Sequence, residues 1–231
     1  MDVAVDLKNS EVIENLGEGY RIIQDKEKFC YGTDAKVLAD FAVAKPKEKV
    51  IDLCSGTAII PILMCQKTRC RDFTALEIQE EMCDLAARSV ALNHLEERLK
   101  IFRGDLTQIA NDFACGSFDV VTCNPPYMIP GTGKVNISES VRIARHEVLC
   151  NLEDVIRAAC YLLNSGGRFY IVHRAERMVD VLTLMREYKL EPKRLTWVSA
   201  NPYKEPSLIL VEGQKDRKSG LIITKPLYVN M

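Results

Sequence analysis

Phe118-Asp119-Val120-Val121-Thr122-Cys123-Asn124-Pro125-Pro126-Tyr127 is the stretch from which the rest of the chain can be read. Its first six residues are the apolar, β-branched run of a buried strand. Two consecutive prolines cannot continue that strand, because each lacks an N–H for the ladder and fixes its own φ. The strand therefore stops at Asn124 and leaves there an amide side chain, a backbone carbonyl and an aromatic ring. An ordinary strand exit through a rigid Pro-Pro turn is the plainer reading of the prolines alone. With Asn before and Tyr after, the three groups suit a flat, neutral amino group. The Asn124 side-chain oxygen and the Pro125 carbonyl accept its two hydrogens, and Tyr127 stacks on its plane. An exocyclic amine is a poor nucleophile because its lone pair is delocalised, and two acceptors aimed at its hydrogens favour the geometry that frees it.

Upstream of this stretch, strands and helices alternate. Lys49–Cys54 reads as a strand, followed after Ser55-Gly56 by a helix over Thr57–Lys67; Phe73–Ile78 as a strand, followed by a helix over Gln79–Leu95. Ile101–Gly104 is a third strand and Phe118–Cys123 the fourth. Downstream, after a glycine-containing loop from Met128 to Val148, come a helix over Leu152–Leu163, a strand over Arg168–His173 and a helix over Arg177–Leu190. Two last strands, about Arg194–Ser199 and Ser207–Glu212, precede a basic tail expected to be loosely held. At the other end, residues 20–31 read as a hairpin, with Thr33 or Asp34 capping a helix beyond it. Such alternation implies βαβ units and a parallel sheet covered on both faces. The expected division is an extension over 1–45, hairpin plus helix, and a main domain over 46–231.

Parallel sheets hold ligands beyond the carboxyl ends of their strands, so the residues there can be read together. The first strand ends in Asp52-Leu53-Cys54-Ser55-Gly56, turning into a helix whose N-terminus offers unpaired N–H groups. Glu77 ends the second strand, where a carboxylate can accept from both hydroxyls of a ribose. Asp105 follows the third strand, placed for the amino group of an adenine ring. A strand-end acid is commonly a helix cap, so each is weak alone; all three in order, with Asn124 ending the fourth strand, point to one site.

Composition narrows the setting. No apolar run approaches the roughly 20 residues that span a bilayer, and the acidic start Met1–Asp6 lacks the pattern of a signal peptide, so a cytoplasmic protein is expected. The nine cysteines are scattered, with no Cys-x-x-Cys pair and only three histidines, which argues against a metal site and for small buried thiols. Residues 164–231 carry 12 Lys/Arg against 7 Asp/Glu while residues 1–163 carry 19 against 25, an asymmetry that hints at a polyanionic partner.

With these residues in view, the chain resembles the class I, Rossmann-like methyltransferases. Within them it looks like the bacterial tRNA1(Val) adenine-N6-methyltransferase family. The likeness runs from Tyr20 to about Glu212 and is carried by Ile23-Gln24-Asp25 with Tyr31-Gly32-Thr33-Asp34-Ala35, Ala75-Leu76-Glu77-Ile78-Gln79, Asn124–Tyr127, Ala144-Arg145-His146-Glu147, and His173-Arg174 before Glu176-Arg177. It implies a mostly parallel seven-stranded sheet with an antiparallel C-terminal strand. The implied cofactor is S-adenosylmethionine, and the implied target the adenine N6 on the 3′ side of a tRNA anticodon. Asp52, Ser55, Gly56, Glu77 and Asp105 would line the cofactor site, with Tyr31, Gly32, Thr33 and Asp34 closing over it. Asn124, Pro125 and Tyr127 would hold the base, with no metal involved. Where the family has a second glycine after the turn, this chain has Ala58, whose methyl group is expected to narrow the pocket.

Arg145 and His146 either meet phosphates or seat their loop, and Arg174, Arg177, Lys193 and Arg194 would face the RNA backbone. A monomer or weak dimer is expected. Three other readings fit the same motif: guanine N2 methylation of ribosomal RNA, glutamine N5 methylation of a protein such as a release factor, and a non-catalytic RNA-binding module.

Overall fold

A computed structural model describes residues 6–28, 30–126 and 150–229. Its centre is a sheet whose first strand, β3 (Lys49–Leu53), is flanked on one side by β4 (Asp72–Glu77) and β5 (Leu99–Arg103), and on the other by β6 (Phe118–Cys123) and β7 (Leu163–Arg174). All five run parallel. Beyond β7 lie β9 (Leu208–Lys215), antiparallel to both its neighbours, and β8 (Leu190–Ser199), which is therefore parallel to β7. The order β8-β9-β7-β6-β3-β4-β5 is the mostly parallel seven-stranded sheet, with an antiparallel C-terminal strand, that the resemblance implies.

The chain winds outward from β3 to β5, then crosses back to lay β6 on the other side of β3. That reversal opens a crevice at the carboxyl ends of β3 and β6, where an open α/β sheet accepts ligands. Both faces of the sheet are apolar because successive strand residues point to opposite sides. Val50, Phe73 and Val120 pack under α1 (Thr33–Phe41) and α2 (Ile59–Lys67). Ile51, Leu76 and Val121 pack under α4 (Leu152–Leu162), α5 (Met178–Glu187) and a short 3-10 segment, Leu106–Asn111. Helix α3 (Glu80–Leu92) lies between β4 and β5 in the chain. Helix α4 begins where a reciprocal capping box forms: Asn151 Oδ1 accepts from Asp154 N–H at 2.9 Å, and Asp154 Oδ2 from Asn151 N–H at 3.1 Å.

The N-terminal hairpin differs from the sequence expectation. Tyr20–Asp25 (β2) pairs with the preceding Glu11–Gly17 (β1), not with Lys28–Tyr31. Gly17, Glu18 and Gly19 turn the chain with φ of +89°, +47° and +83°, a run of left-handed residues that two glycines make accessible. The helix that follows is also capped differently, with Gly32 at its N-cap and no side-chain hydrogen bond there. Neither does the basic tail hang loose, for Ile222–Ile223 (β10) and Leu227–Tyr228 (β11) add in parallel to the outer edge of β8. The cysteines are likewise less uniform than expected: Cys65, Cys70 and Cys123 are buried, but Cys30 and Cys115 are exposed.

Three kinds of contact seat the hairpin on α3. Ile23 packs against Met82, Leu85 and Leu92. The Glu11 carboxylate takes both arms of the Arg88 guanidinium, at 2.6 and 2.7 Å, and this pairing holds its pKa down to about 2. Asn93, just past the helix, accepts from Arg21 N–H at 2.8 Å and donates to Arg21 C=O at 2.6 Å, so one side chain satisfies both backbone groups of a residue in β2. Replacing Asn93 by Ala withdraws both bonds and is expected to cost about 2 kcal/mol. Urea unfolding should show a lower midpoint at unchanged slope, and a variant as stable as the parent would contradict this account of how the hairpin is held.

Candidate active site

A cavity of about 410 Å³ occupies the crevice at the carboxyl ends of β3, β4, β5 and β6. Its wall includes Tyr31, Gly32, Asp34, Ser55, Gly56, Glu77, Asp105, Asn124, Pro125 and Arg174, which the sequence scatters over more than 140 positions. The apolar share comes from Ile59, Ile60, Leu76, Ile78, Met82 and Leu106. A volume of this size, mostly apolar with a few convergent polar groups, suits a small organic molecule.

The loop after β3 is the most constrained part of the wall. Cys54, Gly56 and Ala58 all take left-handed φ, at +54°, +55° and +62°. Ser55 N–H donates to Leu76 C=O at 3.0 Å, extending the ladder to β4 by one residue. Gly56 N–H donates to Glu77 Oε2 at 2.8 Å, while Glu77 Oε1 accepts from Gln79 N–H at 3.0 Å. The Glu77 carboxylate is thereby fixed across the mouth of the crevice. Burial raises its pKa, and these backbone donors work against the rise. Asp105 spends one oxygen on the turn below, Oδ1 accepting at 2.8 Å from both Thr107 N–H and its hydroxyl.

Asp52 stands behind this wall and not on it. It is 1 % exposed, and its two carboxyl oxygens accept at 2.6 Å from Ser55 Oγ and at 2.5 Å from Thr122 Oγ1. It holds the loop to β6 instead of facing the cavity. Thr33, the first residue of α1, is also absent from the cavity wall. Ala58 departs from the expectation attached to it: its methyl group is fully buried with Ile22, Ala35 and Ile62, not in the cavity. Glycine is favoured at this position by the left-handed backbone, which costs a residue with a Cβ about 1–2 kcal/mol.

Asn124 follows the last residue of β6, and its Oδ1 is buried with no hydrogen-bond partner among the described residues. Buried polar atoms nearly always find a partner, so an acceptor left without one at a cavity wall is poised for a donor from outside. Tyr127, Arg145 and His146 lie outside the described residues. Arg174 ends β7 exposed at the cavity mouth, and Arg177 pairs with Asp180 at 2.5 Å. His173 is fully buried, its Nδ1 accepting from Arg174 N–H at 3.0 Å; burial and the nearby Arg177 push its pKa down to about 4, so it is a neutral ring at neutral pH.

Lys193 and Arg194 are not brought to this rim. They sit near the start of β8, at the opposite end of the sheet. There Arg194 donates to Glu212 at 3.0 Å and to Phe41 C=O at 2.8 Å and stacks on the Phe41 ring, while Lys193 donates to Lys218 C=O at 3.2 Å.

One contributor escaped the sequence reading. Glu14 of β1 accepts from Tyr31 Oη at 2.6 Å and from Gln24 Nε2 at 2.6 Å, and Gln24 in turn accepts from Tyr31 N–H at 3.1 Å. These bonds pin Tyr31 over the cavity, with its hydroxyl pKa raised by burial and by Glu14. No motif marks Glu14; only the β1–β2 pairing brings it there.

Asp52 gives this arrangement a measurable signature. Burial lifts its pKa from 3.8 to about 7, although the Ser55 and Thr122 hydroxyls favour the charged form. An acid whose folded pKa is raised binds a proton in the native state that the unfolded chain has already lost, so the native state loses stability as pH rises between those values. Relative to Asp52→Asn, the wild type should lose stability from about pH 4 to about pH 7. Urea titrations across that range test it, and parallel profiles for the two proteins would contradict it.

Comparison with known proteins agrees with this geometry. A relative in Parabacteroides distasonis named tRNA1(Val) (adenine(37)-N6)-methyltransferase is 25 % identical over 193 residues, covering 84 % of this chain and 80 % of its own. One of the same name in Porphyromonas gingivalis is 28 % identical, covering 78 % and 72 %. Among solved structures, one described as a predicted O-methyltransferase from Agrobacterium tumefaciens superposes with a TM-score of 0.67 at 21 % identity, over 84 % of this chain and 86 % of that one, a likeness of fold. The family model of the methyltransferase small domain matches residues 20–189, and the chain belongs to that family of methyltransferases.

Proposed function

We propose that this enzyme transfers a methyl group from S-adenosylmethionine to the exocyclic N6 of an adenine in tRNA, on the 3′ side of the anticodon. The observation that carries the reading is the buried Oδ1 of Asn124, without a partner among the described residues, at the wall of a cavity that also holds Glu77 and Asp105. The relatives' names supply the choice of adenine N6 in tRNA.

The residues present fit the donor. Glu77 would accept from the ribose hydroxyls, its carboxylate already oriented by Gly56 and Gln79 N–H. Asp105 would accept from the adenine amino group with the oxygen that the turn leaves over. Ile78, Leu106 and Met82 would enclose the adenine ring, and Tyr31, held by Glu14, would close over the methionine end. When bound, the sulfonium supplies an electrophilic methyl group and a neutral thioether leaving group.

Asn124 Oδ1 and the Pro125 carbonyl would accept the two N6 hydrogens of the target base, holding its amino group in the geometry that exposes the lone pair. Positioning and exclusion of water then carry most of the rate effect. The amino group need not lose a proton before attack: the S–CH3 bond breaks as the N–CH3 bond forms, and the electron pair leaves with the thioether sulfur. The methylated nitrogen then gives up its extra proton to water; His173 is not part of the cavity wall. The anticodon loop offers unpaired bases, so little energy is spent in bringing the adenine out of its stack.

Kinetics on unmodified tRNA with labelled S-adenosylmethionine test this directly. Asn124→Ala should lower kcat by about 10²-fold or more, the scale seen when one preorganised polar partner of a transition state is removed, with binding of S-adenosylmethionine unchanged. Comparable turnover in the variant would contradict the role given to Asn124. Label appearing only in ribosomal RNA or in a release factor would move the substrate to the guanine or the glutamine reading.

A further inference from the structure

The turn between β8 and β9 contains Asn201, Pro202, Tyr203, Lys204 and Pro206, and none of these belongs to the cavity. Tyr203 is 96 % exposed, unusual for a large aromatic side chain. We propose that Tyr203 is a stacking platform for an unpaired base of the substrate RNA a few nucleotides from the methylated adenine, with Lys204 beside it for a phosphate.

Because β8 runs parallel to β7, it ends on the same rim as Asn124 and Arg174. The register is level across three strands: Val198 pairs with Leu208, and Leu208 with Arg174. Ala175 N–H donates to Ser207 C=O at 3.0 Å, which ties the foot of the turn to the segment just after Arg174. From β6 to β8 there are three strand spacings of about 4.8 Å, roughly 14 Å sideways, and Asn124 is level with Val172, about three residues short of the end of β8, so the turn begins roughly 17 Å from Asn124. At about 3.4 Å per stacked nucleotide, and more where the strand is stretched, a strand leaving Asn124 along the rim reaches the turn in about three to five nucleotides.

The turn is also held in shape. Asn201 Oδ1 accepts from Tyr203 N–H at 2.9 Å and Asn201 C=O from Lys204 N–H at 3.2 Å. Ser199 Oγ donates to Asn201 C=O at 3.2 Å, and Pro202 and Pro206 fix two more φ angles. A rigid turn that holds an aromatic ring in solvent loses little conformational entropy when a base stacks on it. Lys204 is exposed and forms no ion pair with a described residue. Arg174, exposed at the cavity mouth, lies on the path between. Aromatic rings interleaved with cations along a groove are the means by which proteins hold single-stranded nucleic acid without reading its sequence. A folded protein partner would need a contiguous apolar patch around Tyr203, whereas its neighbours here are Lys204, Glu205 and two prolines.

The inference rests on the RNA reading of the same site, and the test separates the two. Wild type, Tyr203→Ala and Tyr203→Phe are compared on an anticodon stem–loop RNA with labelled S-adenosylmethionine. Absence of label with the wild type on both the stem–loop and the full tRNA overturns the RNA reading and this inference together. With label present, Tyr203→Ala should raise KM for the RNA by about tenfold, within the range for loss of one base stack. Its affinity for S-adenosylmethionine and its melting temperature should be unchanged, and Tyr203→Phe should stay within twofold of wild type. A KM for the Ala variant within twofold of wild type overturns the inference alone. Equal losses in the Ala and Phe variants would also overturn it, because the contact would then be made by the hydroxyl and not by the ring.

Discussion

A single buried carboxyl group fixes the geometry on which the rest of the rim depends. Asp52 lies in β3 directly beside Thr122 of β6, the two strands between which the chain reverses its winding. By accepting from Thr122 on one side and Ser55 on the other, it locks the loop after β3 to the strand that delivers Asn124. The two halves of the crevice therefore cannot drift apart without breaking a hydrogen bond in a dry interior, where such a bond is costly to lose. Gly56 and Glu77 continue the chain of constraints to β4, so three strand ends are set relative to one another by side-chain to loop bonds. Complete burial raises the pKa of this acid, and the two hydroxyls that donate to it work against the rise.

The N-terminal hairpin acts on the opposite wall. Its Glu14 and Gln24 hold the ring and backbone of Tyr31 over the cavity. Its own position comes from α3, through Ser89, Arg88 and Asn93. Since α3 follows the strand that ends in Glu77, one helix links the roof of the site to its acidic edge.

Much of this was legible in the chain. Strands of five or six residues separated by helical periods leave few arrangements other than a parallel sheet, and such a sheet has one ligand rim. Glu77, Asp105 and Asn124 followed from that rule, because each is the polar residue at the end of an apolar run. Asp52 satisfies the same pattern and yet faces inward: a strand-end acid looks alike in sequence whether it meets a ligand or two buried hydroxyls. Lys193 and Arg194 are expected from sequence to face the RNA backbone, but nothing local states which end of β8 lies at the rim; the antiparallel insertion of β9 decides it. The hairpin was displaced by one strand because its turn, Gly17-Glu18-Gly19, depends on left-handed backbone and not on the polar residues that mark most turns. The pairing of Ile222–Ile223 with β8 is too short to leave any period to detect.

On the proposed reading, this rim methylates an exocyclic nitrogen of adenine. The most direct measurement is the chemical identity of the product nucleoside after unmodified tRNA is incubated with the enzyme and S-adenosylmethionine, digested, and resolved by chromatography with mass detection. The account predicts N6-methyladenosine, in the fragment that contains the base 3′ of the anticodon. A methyl group on guanine, on a ribose, or on an adenine ring nitrogen would contradict it.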